Sequence, residues 1–530
     1  MIDVRELLRL VLAALLAVGL AACASTAQVQ PGQAQAGAGA TPGAAVALDD
    51  GMGMPPPGAG AGGDGAAALG GTTGAGTAGA PAGGAIAPGG TAGAGSDAGG
   101  GAAPAGSSGS GGSQGGAAAS GQAPGLTATT IKIGLEYASD SKEANSALGE
   151  NVSSGDSRAN YEALIEYYNK RGGFAGRTIE AVYYEYSAFQ DLGPQQEAAC
   201  AHFTQDQPVF AVMIFDAAEN YVSCLTKAGT GAWGSEGLTG ADDDMLARYP
   251  GFVLPSALSL TQVARVYGPG LRRAGFFEPE AVDSSTTIGL ITFDEPRYKK
   301  AAKEFEASLR SIGETLDETQ FVHYAKTLDQ AGQLSTEVSS AVLRFRQEGV
   351  DHVTIIEESA LIALFFQQTA ERQGYRPQYG FNSTSGGQLF INSGLSEPNQ
   401  MVGARLVGWN PQFDVPPRYV DKWPAQQECL RMYERAGLNY PESSNPRGLA
   451  LQACAGFDFM QAALDAAPGP LTVDSIRTGT DRLGTSWQSP WNKTTRFGPD
   501  RHYGTSLYLT AAYNENCTCF KPHRGLHRIP

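Results

Sequence analysis

Basic side chains are in short supply. The chain has 37 Lys and Arg against 53 Asp and Glu, a net charge of −16 over 530 residues. A surface of that sign repels phosphate, which argues against nucleic acid as a partner and against electrostatic docking on anionic lipid. The amino-terminal apolar run, Leu10 to Ala22, falls short of the roughly 20 residues that a membrane-spanning helix needs. Catalytic signatures are missing too. Gly234-Ser235-Glu236-Gly237 is not the G-x-S-x-G nucleophile elbow, there is no H-E-x-x-H and no G-x-x-x-x-G-K-[ST] loop, and the six histidines are scattered. Large apolar side chains nearly vanish between Ala24 and Pro124, a stretch of mostly Gly, Ala, Ser, Pro and Thr. Such a segment buries too little surface to offset the entropy of ordering, so it is expected to be a disordered tether with a reach of about 55 Å.

What is present begins at the amino terminus. Arg5 and Arg9 precede the apolar run, which ends in small residues and a cysteine. This is the pattern of an export signal. Leu20-Ala21-Ala22-Cys23 resembles the lipobox of bacterial lipoproteins. The resemblance implies a signal peptide over 1–22, a lipidated Cys23 and a tether over 23–126. The mature protein is then extracytoplasmic and meets the membrane through its amino-terminal lipid only. With Cys23 set aside, six cysteines remain, an even number in an exported chain. They fall as near neighbours. Cys200 with Cys224 and Cys429 with Cys454 are expected disulfides, and the state of Cys517 and Cys519 is left open.

From Thr130 the hydrophobic period alternates between strand and helix. Strands are expected at 131–135, 177–186, 209–214 and 231–233, with helices around 161–168, 195–203 and 220–227. The alternation restarts with strands at 288–291, 319–324, 352–356 and 378–381 and helices at 298–312, 334–347 and 361–373. Beyond Asn382 the pattern reads as mostly helical, with helices at 420–435, 450–466 and 473–483. Strands alternating with helices predict parallel sheets covered on both faces. Two such runs predict an α/β chain of two doubly wound, Rossmann-like lobes.

Several segments carry a resemblance. Asn169-Lys170-Arg171-Gly172-Gly173-Phe174-Ala175-Gly176-Arg177 is similar to the asparagine, double-glycine and Gly-Arg turn of type I periplasmic binding proteins of the leucine/isoleucine/valine-binding kind. Pro255 to Gln262, Phe293 to Tyr298, Gly374 to Pro377 and Phe497 to Gly504 follow in the order of that family. The resemblance implies a clamshell of two lobes joined by a three-strand hinge. It divides the chain into 127–258 and 382–486 for the first lobe, and 259–381 and 487–530 for the second. It also implies a monomeric, non-catalytic receptor that hands a small polar solute, such as a branched-chain amino acid or an amide, to the membrane permease of an ABC importer. A receptor that signals through a membrane sensor, or a secreted enzyme, are the alternatives.

Ligands of open parallel sheets bind beyond the carboxyl ends of the strands. Those ends nominate Ser139 with Asp140, Phe215 with Asp216, and Ser235 in the first lobe. In the second they nominate Asp294 and Tyr298, Glu357 with Glu358, and Asn382 with Ser383. Ser235 suits a solute carboxylate, Asp294 or Glu357 an ammonium, and Tyr298, Phe215 and Trp233 an apolar side chain. An aspartate after a strand is equally often the cap of the next helix. The loop Phe215-Asp216-Ala217-Ala218-Glu219-Asn220 lacks the hydroxyl-rich run usual in amino-acid binders of this kind, which opens the choice to neutral or cationic solutes. Gly240-Ala241-Asp242-Asp243-Asp244 lacks the spacing of a calcium loop and reads as a solvated turn. Cys517, Cys519, His523 and His527 have zinc-like spacing, but in an oxidising compartment cysteines pair with each other. No cofactor and no metal are expected.

Overall fold

The computed structural model describes residues 123–143, 155–214, 216–234, 240–278, 286–325, 328–442, 444–472 and 474–530. The expected signal peptide, Cys23 and nearly all of the tether lie outside these residues. Among the described residues, no helix is long and apolar enough to cross a membrane.

Two sheets organise the chain. The first holds β1 (Thr130–Ala138), β2 (Thr178–Tyr186), β3 (Ala211–Ile214), β4 (Gly231–Gly234) and β5 (Phe252–Val253), all parallel, in the order β2-β1-β3-β4-β5. The second holds β6 (Ile288–Phe293), β7 (Glu318–Val322), β8 (His352–Ile356), β9 (Gln378–Asn382) and β10 (Arg405–Gly408), parallel in the order β7-β6-β8-β9-β10. The two orders are the same doubly wound pattern used twice. Antiparallel strands β11 (Leu507–Asn514) and β12 (Cys519–Pro522) extend the second sheet, and β13 (His527–Arg528) pairs with β11.

Local chemistry explains these elements. The central strands β3, β6 and β8, apolar but for Thr292, His352 and Thr354, are buried at every position, as strands covered on both faces must be. Helix α1 (Ser157–Asn169) starts where the Asp156 side chain accepts from the Ala159 N–H. It ends at Gly172 and Gly173. Gly173 has φ +70°, and a Cβ there would lie 1.8 Å from the Arg177 carbonyl oxygen, so only glycine fits the turn. Asn169 locks the turn to β2 by exchanging two hydrogen bonds with the Ile179 backbone, at 3.0 and 2.7 Å. Helices α2 (Leu192–Ala201) and α3 (Glu219–Lys227) are joined by the Cys200–Cys224 disulfide, with Cα atoms 6.3 Å apart. A short α4 (Asp243–Arg248) precedes β5.

The second sheet is flanked by α5 (Leu260–Arg273), α6 (Pro296–Ser311), α7 (Leu328–Gln347), α8 (Leu361–Arg372) and the short α9 (Gly387–Ser393), α10 (Pro398–Met401) and α11 (Pro411–Asp414). Helices α12 (Pro424–Arg435), α13 (Asn445–Ala466) and α14 (Ser475–Leu483) pack back on α1 and the first lobe. Cys429–Cys454 staples α12 to α13, and Cys517–Cys519 is also closed.

The chain crosses between lobes three times: after Val253, after Asp414, and between Leu483 and Leu507. The first and third crossings run side by side, with Leu254 N–H donating to the His502 carbonyl and Gly504 N–H to the Leu254 carbonyl, both at 2.8 Å.

Three expectations are corrected. The return to the first lobe does not begin at 382, because β10 pairs with both β9 and β11 in the second sheet. The region beyond Asn382 is not mostly helical, since strands β10 to β13 lie in it. Their short, mixed sequences have no clean period until the sheet supplies the missing partners. The folded chain starts before 127: Ala123 and Leu126 are buried, and Gly125 lies against the Val209–Phe210 backbone.

Candidate binding cleft between the two sheets

The carboxyl ends of the two parallel sheets supply the walls of one cavity of about 480 Å³. The first lobe contributes Leu192, Gly193 and Gln196 after β2, Asp216, Ala218, Glu219 and Asn220 after β3, and Asp242, Asp244, Met245 and Arg248 after β4. The second contributes Glu295, Pro296, Arg297 and Lys300 after β6, and Tyr324 after β7. These are the loops that doubly wound sheets use for ligands. A second cavity of about 370 Å³ is lined by Leu389, Asn392, Gln412, Phe413, Glu442 and Arg447 among others.

Arg297 organises the first cavity. It lies in the first turn of α6, which is opened by Pro296. Its guanidinium donates to Glu295 Oε2 and Glu358 Oε1, each at 3.1 Å, and across the cleft to the Gly240 carbonyl at 2.9 Å. The guanidinium also stands 5.3 Å from the Tyr298 ring and 5.7 Å from the Tyr324 ring. Burial acts to lower its pKa, but Glu358, the two tyrosines and Glu295 outweigh that and hold it above the ordinary arginine value. A Cβ at position 240 would lie 1.9 Å from Glu358 Oε2 and 2.8 Å from Arg297 Nη1, so any side chain there has to push the tips of that pair aside. Beside it, Lys300 pairs with Asp244 and, at 3.5 Å, with Asp242, also across the cleft. Arg248 pairs with Glu219 within the first lobe.

The nominated residues divide. Asp216 lines the cavity and accepts from Gln196 Nε2. Ser139 is exposed and donates to Glu185, while Asp140 accepts from Ser187 Oγ and Ala188 N–H and so ties down the loop after β2. Asp294 is exposed and pairs with Lys299 of the helix that follows, α6. Tyr298 is buried under Arg297 and packs edge-on against Phe293 at 5.1 Å. Burial, then the Glu358 charge, push its hydroxyl well above the ordinary tyrosine value. Glu357 is buried and accepts from the Ile362 and Ala363 N–H groups at 2.9 Å each, closing the start of α8. Burial raises its pKa to about 8, against those two hydrogen bonds. Asn382 is buried and bonds the Ile355 carbonyl, the Thr384 N–H and the Thr384 hydroxyl. Trp233 lies in the core. Phe215 and Ser235 fall outside the described residues.

Sequence reasoning missed Gln196, Asp242, Asp244, Arg248, Glu295, Arg297 and Lys300. A signal existed for two of them, because Glu295 and Arg297 sit inside the recognised Phe293 to Tyr298 segment. Asp242 to Asp244 read as a solvated turn, and only the opposite lobe reveals their partner. Cys517, Cys519, His523 and His527 do not converge: the cysteines are joined, His523 meets the Thr510 hydroxyl at 3.1 Å, and His527 packs on Tyr508. Among the described residues, no group of three or more His, Cys, Asp or Glu could hold a metal ion.

Comparison with known proteins agrees with this geometry. The family model described as periplasmic binding protein matches residues 130–516, and the chain belongs to that family. No curated protein matches the chain. Among solved structures, a solute-binding protein of an ABC transporter from R. palustris in complex with 4-hydroxybenzoate aligns over 76% of this chain and 98% of its own, at 12% identity and a TM-score of 0.54. The branched-chain amino acid transporter substrate-binding protein LivJ from Streptococcus pneumoniae, in complex with isoleucine, aligns over 76% and 99%, at 16% identity and a TM-score of 0.50. An ABC-transporter substrate-binding protein from Aeropyrum pernix aligns over 76% and 97%, at 11% identity and a TM-score of 0.55. At these identities the likeness establishes the shared fold.

Proposed function

We propose that this periplasmic binding protein is an extracytoplasmic receptor, anchored by a lipid on Cys23, that captures a small polar solute and presents it to the permease of an ABC importer. One observation carries the reading. The strand-end loops of two sheets with the same order face each other across a 480 Å³ cavity bridged by Arg297 and Lys300. That volume suits a metabolite-sized guest. Asp216, Gln196, Glu295, Arg297, Lys300 and Tyr324 form the binding wall. The first lobe takes 123–258 and 415–486, and the second takes 259–414 and 487–530. Capture works by closure: a solute that touches both walls stabilises the state in which the lobes meet. The long tether lets the folded part range while the lipid keeps it near the permease, which raises effective concentration.

The test uses the full chain and a panel of amino acids, amides, aromatic acids, amines and sugars. A true guest at 100 times its dissociation constant adds about 2.7 kcal/mol to stability, enough to raise the melting temperature by several degrees. It also shrinks the scattering radius. In cells, Cys23→Ala releases the protein from the membrane fraction while binding survives. Retention of that variant after washing refutes the anchor, and a panel without any response refutes the receptor.

A further inference from the structure

The charge pattern of the cleft narrows the guest, on the reading that this cavity is the binding site. Among the described residues its lining carries five carboxylates, Asp216, Glu219, Asp242, Asp244 and Glu295, against three cations, Arg248, Arg297 and Lys300. Each cation is already committed. Arg248 is held by Glu219, Lys300 by Asp242 and Asp244, and Arg297 by Glu295, Glu358 and the Gly240 carbonyl. Glu358 adds a further carboxylate just behind the wall. Its side chain is only 7% exposed, and its Oε2 is buried without a hydrogen-bond partner among the described residues.

A carboxylate-bearing guest wants uncommitted donors. The first turn of α3, where a helix amino terminus favours negative charge, already carries Glu219, whose carboxylate turns to Arg248. The preceding loop offers Ala217 and Ala218 where hydroxyls would serve. An anion that seeks a cation of the described lining must break an existing ion pair and then sit among surplus negative charge, which is unfavourable on both counts. An ammonium or guanidinium faces the reverse situation. It meets excess acceptors, and its N–H groups form charge-assisted hydrogen bonds. The wall already accommodates one guanidinium between tyrosine faces.

We propose that the guest is a small cationic solute without a carboxylate, of the alkyl diamine or guanidino-amine class. This differs from the guests named for the aligned relatives, which are an aromatic acid and isoleucine.

The experiment is titration calorimetry on the full chain with putrescine and agmatine, set beside leucine and 4-hydroxybenzoate. At least one amine gives a saturable isotherm, weakened severalfold by raising salt from about 0.05 to 0.5 M. Asp216→Asn and Glu295→Gln each weaken it about tenfold, the effect of one lost charge-assisted contact. Glu306→Gln, on the outer face of α6, leaves it unchanged. Melting of the unliganded variants shows whether each is folded, and the two cleft substitutions serve as independent witnesses. Leucine or 4-hydroxybenzoate binding while the amines are silent overturns the cationic guest and keeps the cleft. Amine binding that ignores both cleft substitutions overturns the assignment to this site. Silence from both amines overturns the proposal whatever the other probes do.

Discussion

The two lobes are joined at two places, and the joints are made of opposite materials. At the cleft mouth the contacts are ionic and partly wet: Lys300, 38% exposed, reaches Asp242 and Asp244, and Arg297 reaches the Gly240 carbonyl. At the crossings they are neutral and buried. The Ser256 and Ser489 hydroxyls meet at 2.5 Å, and Asn492 Nδ2 and Thr505 Oγ1 both donate to the Ser256 carbonyl at 2.6 Å. Trp423 Nε1 closes the set on the Ser489 carbonyl at 2.8 Å. Exposed ion pairs trade partners with water at little cost. A buried donor that loses its acceptor bears the full desolvation penalty. The mouth can therefore part and re-form, while the crossings bend without breaking.

The largest expected effect comes from breaking the buried joint. Asn492→Ala removes the Nδ2 donor from both the Ser256 carbonyl and the Thr505 hydroxyl, leaving those two only their bond to each other, and costs about 2 kcal/mol, read as a lower urea midpoint at unchanged slope. A loss of only a few tenths would mean the crossings do not depend on this side chain.

Next in size is a pH effect at the same joint. Asp414 accepts from the Ser383 hydroxyl at 2.8 Å and the Asn410 N–H at 2.7 Å, yet burial lifts its pKa to about 8. Its unfolded value is near 3.8. Between those limits the folded chain holds a proton that the unfolded chain has released. The stabilisation is complete below about pH 4 and is lost as pH rises through about 8. Melting temperature should thus fall less steeply with pH in Asp414→Asn than in the parent. Parallel curves would show that Asp414 does not titrate in this window.

The smallest stability change belongs to the mouth. Lys300→Ala removes a half-exposed pair worth less than about 1 kcal/mol, so the urea midpoint barely moves. The scattering radius of the unliganded protein nevertheless increases, because a cross-lobe tie is gone. An unchanged radius would assign closure to Arg297 or to the crossings alone.

Some of this was legible in the residues and some was not. The buried runs of β3, β6 and β8 and the Asn169 to Arg177 turn announced the doubly wound lobes, since both depend on near neighbours. Two of the disulfide pairings followed from spacing. Glu357 and Glu358 show where reading stops. They are adjacent and chemically identical, yet one closes a helix through two backbone N–H groups and the other holds a guanidinium beside the cleft. Asp294 and Glu295 divide the same way: Asp294 turns to Lys299 and the solvent, while Glu295 lines the cavity.

By itself the sequence determined the class of fold, the two-fold repetition of its lobes and two of the three disulfides, because hydrophobic period, turn chemistry and cysteine spacing act over a few tens of residues at most. Which acid faces the guest, which caps a helix, and that Asp242 and Asp244 meet Lys300 some 56 to 58 residues further on, were decided only in three dimensions. Coulomb attraction and burial depend on distance through space, and that distance does not exist until the two sheets have closed on each other.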